Sequence, residues 1–153
     1  FPKMESKIPN IIKESHKLNL QNNDSWLLFD CPSHIDKNDL ELENNDVLIE
    51  VINCDPTCHS LIHLAREDEA TTQKKYEHYY LINRFNSNSE IEVEIYQLWR
   101  DCEPKLAPFF IHSDEVVKEA LAFKNVAFNC APYSVVIDDY KTLICWLMSK
   151  FND

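Results

Sequence analysis

The stretch Asp46-Val-Leu-Ile-Glu-Val-Ile-Asn-Cys54-Asp-Pro-Thr-Cys58-His-Ser-Leu-Ile-His-Leu-Ala-Arg66 decides the fold class, because it runs a strand directly into a helix. Val47 to Ile52 is a continuous, β-branched apolar run interrupted only by Glu50. That is the pattern of a strand covered on both faces, and it predicts the centre of a sheet. Asp55-Pro56 then reads as a helix start: Asp supplies the N-cap, and Pro in the first turn lacks an amide proton that would have no partner there. Cys58, Leu61, Ile62 and Ala65 follow at helical spacing and predict one buried stripe.

Upstream, Ser25-Trp-Leu-Leu-Phe-Asp30 is a short apolar run that stops at Cys31-Pro32 and reads as a buried strand. Residues 33 to 45 are polar and predict a short helix or loop, while Ile8, Ile11, Ile12 and Leu18 predict an N-terminal helical arm over 1–24. Downstream, Tyr79 to Phe85 predicts a strand. Residues 89 to 102 fit either a strand or a helix with Ile91, Ile95, Leu98 and Cys102 on one face, and the helix preserves a regular β-α-β-α order. Phe109 to Ile111 and Asn125 to Asn129 read as further short strands, and Asp138 to Phe151 as an amphipathic closing helix. The sum is one α/β domain over 25–153.

Composition narrows the chemistry. Glycine is absent from all 153 residues, which excludes phosphate-binding loops, dinucleotide fingerprints and nucleophile elbows, all of which need glycine backbones. Tight turns then fall to Asn, Asp and Pro, at Asn22-Asn23-Asp24, Glu43 to Asp46 and Asn86 to Ser89. A net charge of −11, from 26 acidic and 15 basic side chains, repels nucleic acid phosphate and anionic lipid, so a protein or peptide partner is expected and a nucleic acid is not. No apolar run is long enough to insert in a membrane. Six cysteines permit a disulfide set without requiring one. The start at Phe1 and the sequon Asn23-Asp24-Ser25 point to a processed chain in the secretory pathway or endoplasmic reticulum lumen.

The element order, with a cysteine pair entering a helix and a proline leading into a later strand, resembles the thioredoxin fold, and protein disulfide isomerase domains most of all. Local matches are Val47-Leu-Ile-Glu50, Leu106-Ala-Pro108-Phe-Phe and Asp138-Asp-Tyr ahead of Ile144-Cys-Trp-Leu147. The resemblance implies a central mixed sheet flanked by helices and a thiol-disulfide oxidoreductase acting on polypeptide. Cys54 would attack, Cys58 would resolve, and Glu50 would relay protons. A cis Ala107–Pro108 bond would turn the strand so that Ala107 and Pro108 dock substrate.

Three residues separate the cysteines where those families have two, and Asn53 stands where they carry Trp. The longer gap also resembles copper-delivering relatives, in which His112, just beyond the proline, would complete a two-cysteine site. His59 and His63 share a helix with the cysteines but lack a second ligand cluster, so no metal or cofactor is expected. Two further readings stand beside the enzyme: a redox-inactive thioredoxin-like module that binds or chaperones protein, and an unrelated α/β interaction domain whose cysteines are structural.

Overall fold

The computed structural model describes residues 26–69, apart from 34, 36 and 45, and residues 76–151. The predicted arm at 1–24 lies outside them. The chain divides into two units, 1–46 and 47–153.

In the first unit, Trp26 to Phe29 carries no strand structure, contrary to its apolar pattern. A 3-10 turn spans Lys37–Leu40. The turn at Glu43 to Asp46 closes through Asp46 N–H donating to Glu43 O at 3.0 Å and Glu43 N–H donating to Asp46 Oδ2 at 2.7 Å.

The second unit is α/β. Strands β1 (Val47–Ile52), β2 (Glu77–Phe85) and β3 (Leu106–His112) alternate with helices α1 (Pro56–Glu69) and α2 (Glu90–Cys102); α3 (Glu115–Ala122), α4 (Ala127–Cys130) and α5 (Val135–Phe151) follow. The sheet runs β1-β2-β3 and is parallel throughout, not mixed. Its order makes β2 the centre and β1 an edge. The difference from expectation shows in burial: Tyr80, Leu81 and Ile82 of β2 are all buried, whereas Val51 of β1 is 60% exposed.

The core lies on both faces of this sheet, as parallel strands require. On one face, Ile52, Tyr80, Ile82 and Phe85 pack with Ile62 of α1 and with Ile95 and Trp99 of α2. On the other, Leu81, Ala107 and Ile111 pack with Val136 and Ile137 of α5. Helix α2 takes its place through Val93, Ile95, Tyr96 and Trp99, not through the expected stripe; Ile91, Leu98 and Cys102 face solvent.

Two irregularities break the β2–β3 register. Tyr80 pairs with Leu106 but Ile82 pairs with Phe110, so β3 carries extra residues around Pro108. A proline cannot donate to the ladder, and an edge strand with a bulge is where it is tolerated. Next, Phe85 pairs with His112, and the extra residue now belongs to β2. Arg84 adopts φ 58, in the left-handed region. That turn restores Phe85 to the same face as Ile82, where it meets Phe110 at 4.3 Å between ring centroids.

The sequence pattern missed α3 and read α4 as a strand. Asp114 caps α3, its Oδ1 accepting from Val116 N–H at 2.9 Å. In α4 the helical bond from Ala131 N–H to Ala127 O, at 3.0 Å, replaces the ladder that the apolar run suggested.

Candidate functional site

The strand-to-helix junction is built as the sequence predicts: Pro56 opens α1, and Asp55 Oδ1 accepts from Cys58 N–H at 2.8 Å. The cysteines there are not poised for thiol chemistry. Cys54 is 3% exposed and its Sγ–H donates to Glu92 O at 3.1 Å. Burial, then the carboxylates of Glu92 and Asp55, push its thiol up to about 12. A reactive cysteine needs the opposite shift. The Cys58 thiol is also raised, chiefly by burial, with the Asn53 backbone opposing and Asp55 adding to it. All six cysteines are free.

The other predicted site residues are not gathered at this pair. Glu50 Oε2 lies 3.1 Å from Nε2 of His78, whose side chain is 1% exposed, so the carboxylate is engaged across the β1–β2 ladder. Ala107 is buried on the sheet face opposite to Cys54, in the α5 layer. Pro108 is exposed at the β3 bulge, and its peptide bond with Ala107 is trans, so the strand is not turned as a cis bond would turn it. Trp99 Nε1–H donates to His59 Nδ1 at 2.9 Å, which makes His59 a partner of the core. Among the described residues no group of three or more His, Cys, Asp or Glu is arranged to hold a metal ion, and His112 does not join Cys54 and Cys58.

A second location has clearer geometry. The carboxyl ends of parallel strands are where α/β sheets receive ligands. There, beyond β2 and β3 and against α3, lies a cavity of about 250 Å³ lined by Asn83, Arg84, Ile111, His112, Asp114 and Lys118 among others. Arg84, an exposed residue at the left-handed turn, is part of this lining. His112 is held twice by Asp139 of α5: its backbone N–H donates to Oδ2 at 2.8 Å, and ring Nδ1 lies 2.9 Å from the same oxygen. A carboxylate only accepts, so Nδ1 carries a proton and donates it to this bond. Asp114 accepts from Ser134 Oγ as well as from Val116 N–H, and these bonds, the hydroxyl first, hold its carboxyl below the usual carboxylate range. Lys118 Nζ donates to Glu115 Oε1 at 2.6 Å on the exposed flank. The cavity thus combines Arg84, an imidazole oriented by Asp139 and an apolar wall from Ile111.

Of these residues the sequence pattern singled out only His112, and for a copper site. Asp114 was legible as an N-cap followed by an acidic first turn. Arg84 and Asp139 carried no local signal: one depends on a backbone turn, the other on a partner 27 positions away.

Comparison with known proteins places the chain elsewhere than its cysteines suggest. Residues 3–148 match the family described as cellulose biosynthesis protein BcsQ. The chain is similar to the cellulose biosynthesis protein BcsQ of Escherichia coli K12, 26% identical over 151 residues, covering 97% of this chain and 57% of that protein. It is also similar to the cellulose biosynthesis protein BcsQ of Salmonella typhimurium LT2, 25% identical over 125 residues, covering 81% of this chain and 47% of that protein. The chain therefore spans about half the length of the curated relatives it matches.

These matches overturn the thioredoxin resemblance, with the thiol-disulfide oxidoreductase and the thioredoxin-like binding modules it implied. They also overturn the placement in the secretory pathway or endoplasmic reticulum lumen, since the relatives are bacterial proteins of cellulose synthesis. With the match running almost from end to end, the chain belongs to the cellulose biosynthesis protein BcsQ family.

Proposed function

We infer that this chain serves bacterial cellulose biosynthesis through contact with another protein, and that the cavity at the carboxyl ends of β2 and β3 receives part of that partner. Family membership over residues 3–148 is the observation that carries the reading. The charge of −11 favours a protein over nucleic acid or anionic lipid. No helix among the described residues is long and apolar enough to cross a membrane. The exposed guanidinium of Arg84 suits a carboxylate, either an acidic side chain or a chain terminus, which it can grip with two parallel hydrogen bonds. The imidazole of His112, oriented by Asp139, offers a further polar contact to the same segment.

The test is genetic and quantitative. The gene is deleted in the organism that encodes the chain, and cellulose is measured by dye binding, with the wild-type gene and an Arg84→Ala version returned separately. Cellulose is expected to fall on deletion and to recover with the wild-type gene. Arg84→Ala should restore less at equal protein level. Unchanged cellulose in the deletion strain sinks the assignment to cellulose biosynthesis, and full rescue by Arg84→Ala sinks the role of the cavity.

A further inference from the structure

The two edges of the sheet are finished differently. β3 carries Pro108 and a bulge, and both are devices that stop a further strand from pairing. β1 carries neither. It pairs with β2 in unbroken register from Val47 to Ile52, it contains no lysine or proline, and among the described residues no strand of the sheet lies along its outer edge. Its one charge, Glu50, is drawn toward the sheet centre by His78, with 3.1 Å between Oε2 and Nε2. A regular apolar edge without such guards is a template for strand addition. The side chains around it agree. Ile52 points into the layer formed by α1 and α2, so Val51 points to the opposite face. There the α5 layer reaches Ile49 but leaves Val51 more than half exposed. On the first face, α1 turns His59 and Arg66 toward α2, where they bond Trp99 and Glu103. Leu61 and Leu64 lie on the other flank of α1, away from α2, and are also more than half exposed. A strand laid along β1 would therefore meet apolar side chains on both of its faces.

Charge indicates which strand fits. Residues 47–69, β1 and α1 with their junction, carry Glu50, Asp55, Glu67, Asp68 and Glu69 against Arg66 alone, and Arg66 Nε–H already donates to Glu103 Oε2 at 2.8 Å. A helix that follows a strand in a parallel sheet runs back along it, and α1 and β1 are each about 20 Å long. Asp55 thus stands at one end of the strand and the acidic last turn of α1 at the other. An acidic segment, a second copy of β1 included, is repelled by this arrangement, and one with basic ends is attracted.

We propose that the outer edge of β1 receives one further strand, an extended segment of a partner protein with β-branched residues at its centre and Lys or Arg at its ends. Main-chain hydrogen bonds supply the affinity, and Val51, Leu61 and Leu64 select the side chains. This surface lies apart from the cavity beyond β2 and β3, and its test makes no use of cellulose. The probe is the capped peptide Lys-Lys-Val-Thr-Val-Ile-Val-Lys-Lys, titrated calorimetrically into the 153-residue chain. It should bind with a Kd of roughly 100 μM, and hydrogen exchange should slow within Val47–Ile52. N-methylation of alternate peptide amides, which removes ladder donors and keeps every charge, should weaken binding about tenfold. Glu in place of each peptide Lys should abolish it. On the protein, Val51→Lys and Leu61→Lys should each weaken binding about tenfold, whereas Leu98→Lys on α2, the same charge at another exposed apolar position, leaves it unchanged. Circular dichroism of all three variants guards against a fold defect. Equal binding of the N-methylated peptide reduces the contact to charge and overturns the proposal, as does a lysine peptide that fails to bind, or a Val51→Lys chain that binds as Leu98→Lys does. A wild-type chain that sediments as a pair, with the pair lost in Val51→Lys, gives the edge to a second copy and overturns it too.

Discussion

At the residue scale, Cys54 combines the spacing of a nucleophile with the surroundings of a core residue. Its spacing to Cys58 at a helix entrance suggests a nucleophile, but the fold buries it, has its Sγ–H donate a hydrogen bond to Glu92 O and sets the carboxylates of Glu92 and Asp55 near it. Two consequences are measurable. A thiol-specific chromogenic reagent at pH 8 should react with the exposed Cys102, Cys130 and Cys145 well before Cys54. Because the folded pKa of about 12 lies above the unfolded value, Cys54 adds stability that is fully present below the ordinary thiol pKa and is lost as pH rises toward about 12. Melting temperature should therefore fall less steeply above pH 9 in Cys54→Val than in wild type. Asp114 has the opposite sign. Its depressed carboxyl contributes above the unfolded pKa, and the contribution is lost as pH falls through the folded value. Asp114→Ala should cost about 1 kcal/mol at neutral pH, as loss of an N-cap does. The two proteins should converge in urea titrations at acid pH.

At the element scale, the two bulges matter most. Arg84→Gly removes a side chain from a left-handed position and should leave stability unchanged or raise it by up to about 1 kcal/mol in chemical denaturation, while Arg84→Val lowers it. If the cavity binds as inferred, Arg84→Gly separates stability from function, gaining one and losing the other. Trp99→Ala is the contrasting change. It deletes a side chain 1% exposed and the bond to His59, and should cost about 3–5 kcal/mol.

Elements with strong local signals were legible. The apolar run of β1, the Asp55-Pro56 start of α1 and the closing helix all followed from spacing and capping. The strand at Trp26 to Phe29 did not, because an apolar tetrapeptide says nothing of whether a ladder partner exists. Asn125 to Asn129 failed in the same way, taking helical bonds in place of a ladder. The site was less legible than the fold. Cys54, Cys58 and Glu50 stood out by residue type, yet His112 and Asp139 meet only because β3 and α5 pack together, a fact written in no short motif.

At the scale of the whole molecule, membership of the cellulose biosynthesis protein BcsQ family is what supports the proposed role. Asp114 links the cavity to the start of α5, since it lines the cavity and accepts from Ser134 Oγ just before that helix. The parallel order of the sheet also bears on how the chain reaches this state. Val47 pairs with Glu77, thirty positions on, and Tyr80 with Leu106, so no ladder can begin at a hairpin. Each crossover must close a long loop before its first strand contact repays the lost freedom, and refolding should run in milliseconds to seconds, not microseconds. During that interval the apolar strands are open to other chains, so the yield of refolded protein should fall as its concentration is raised.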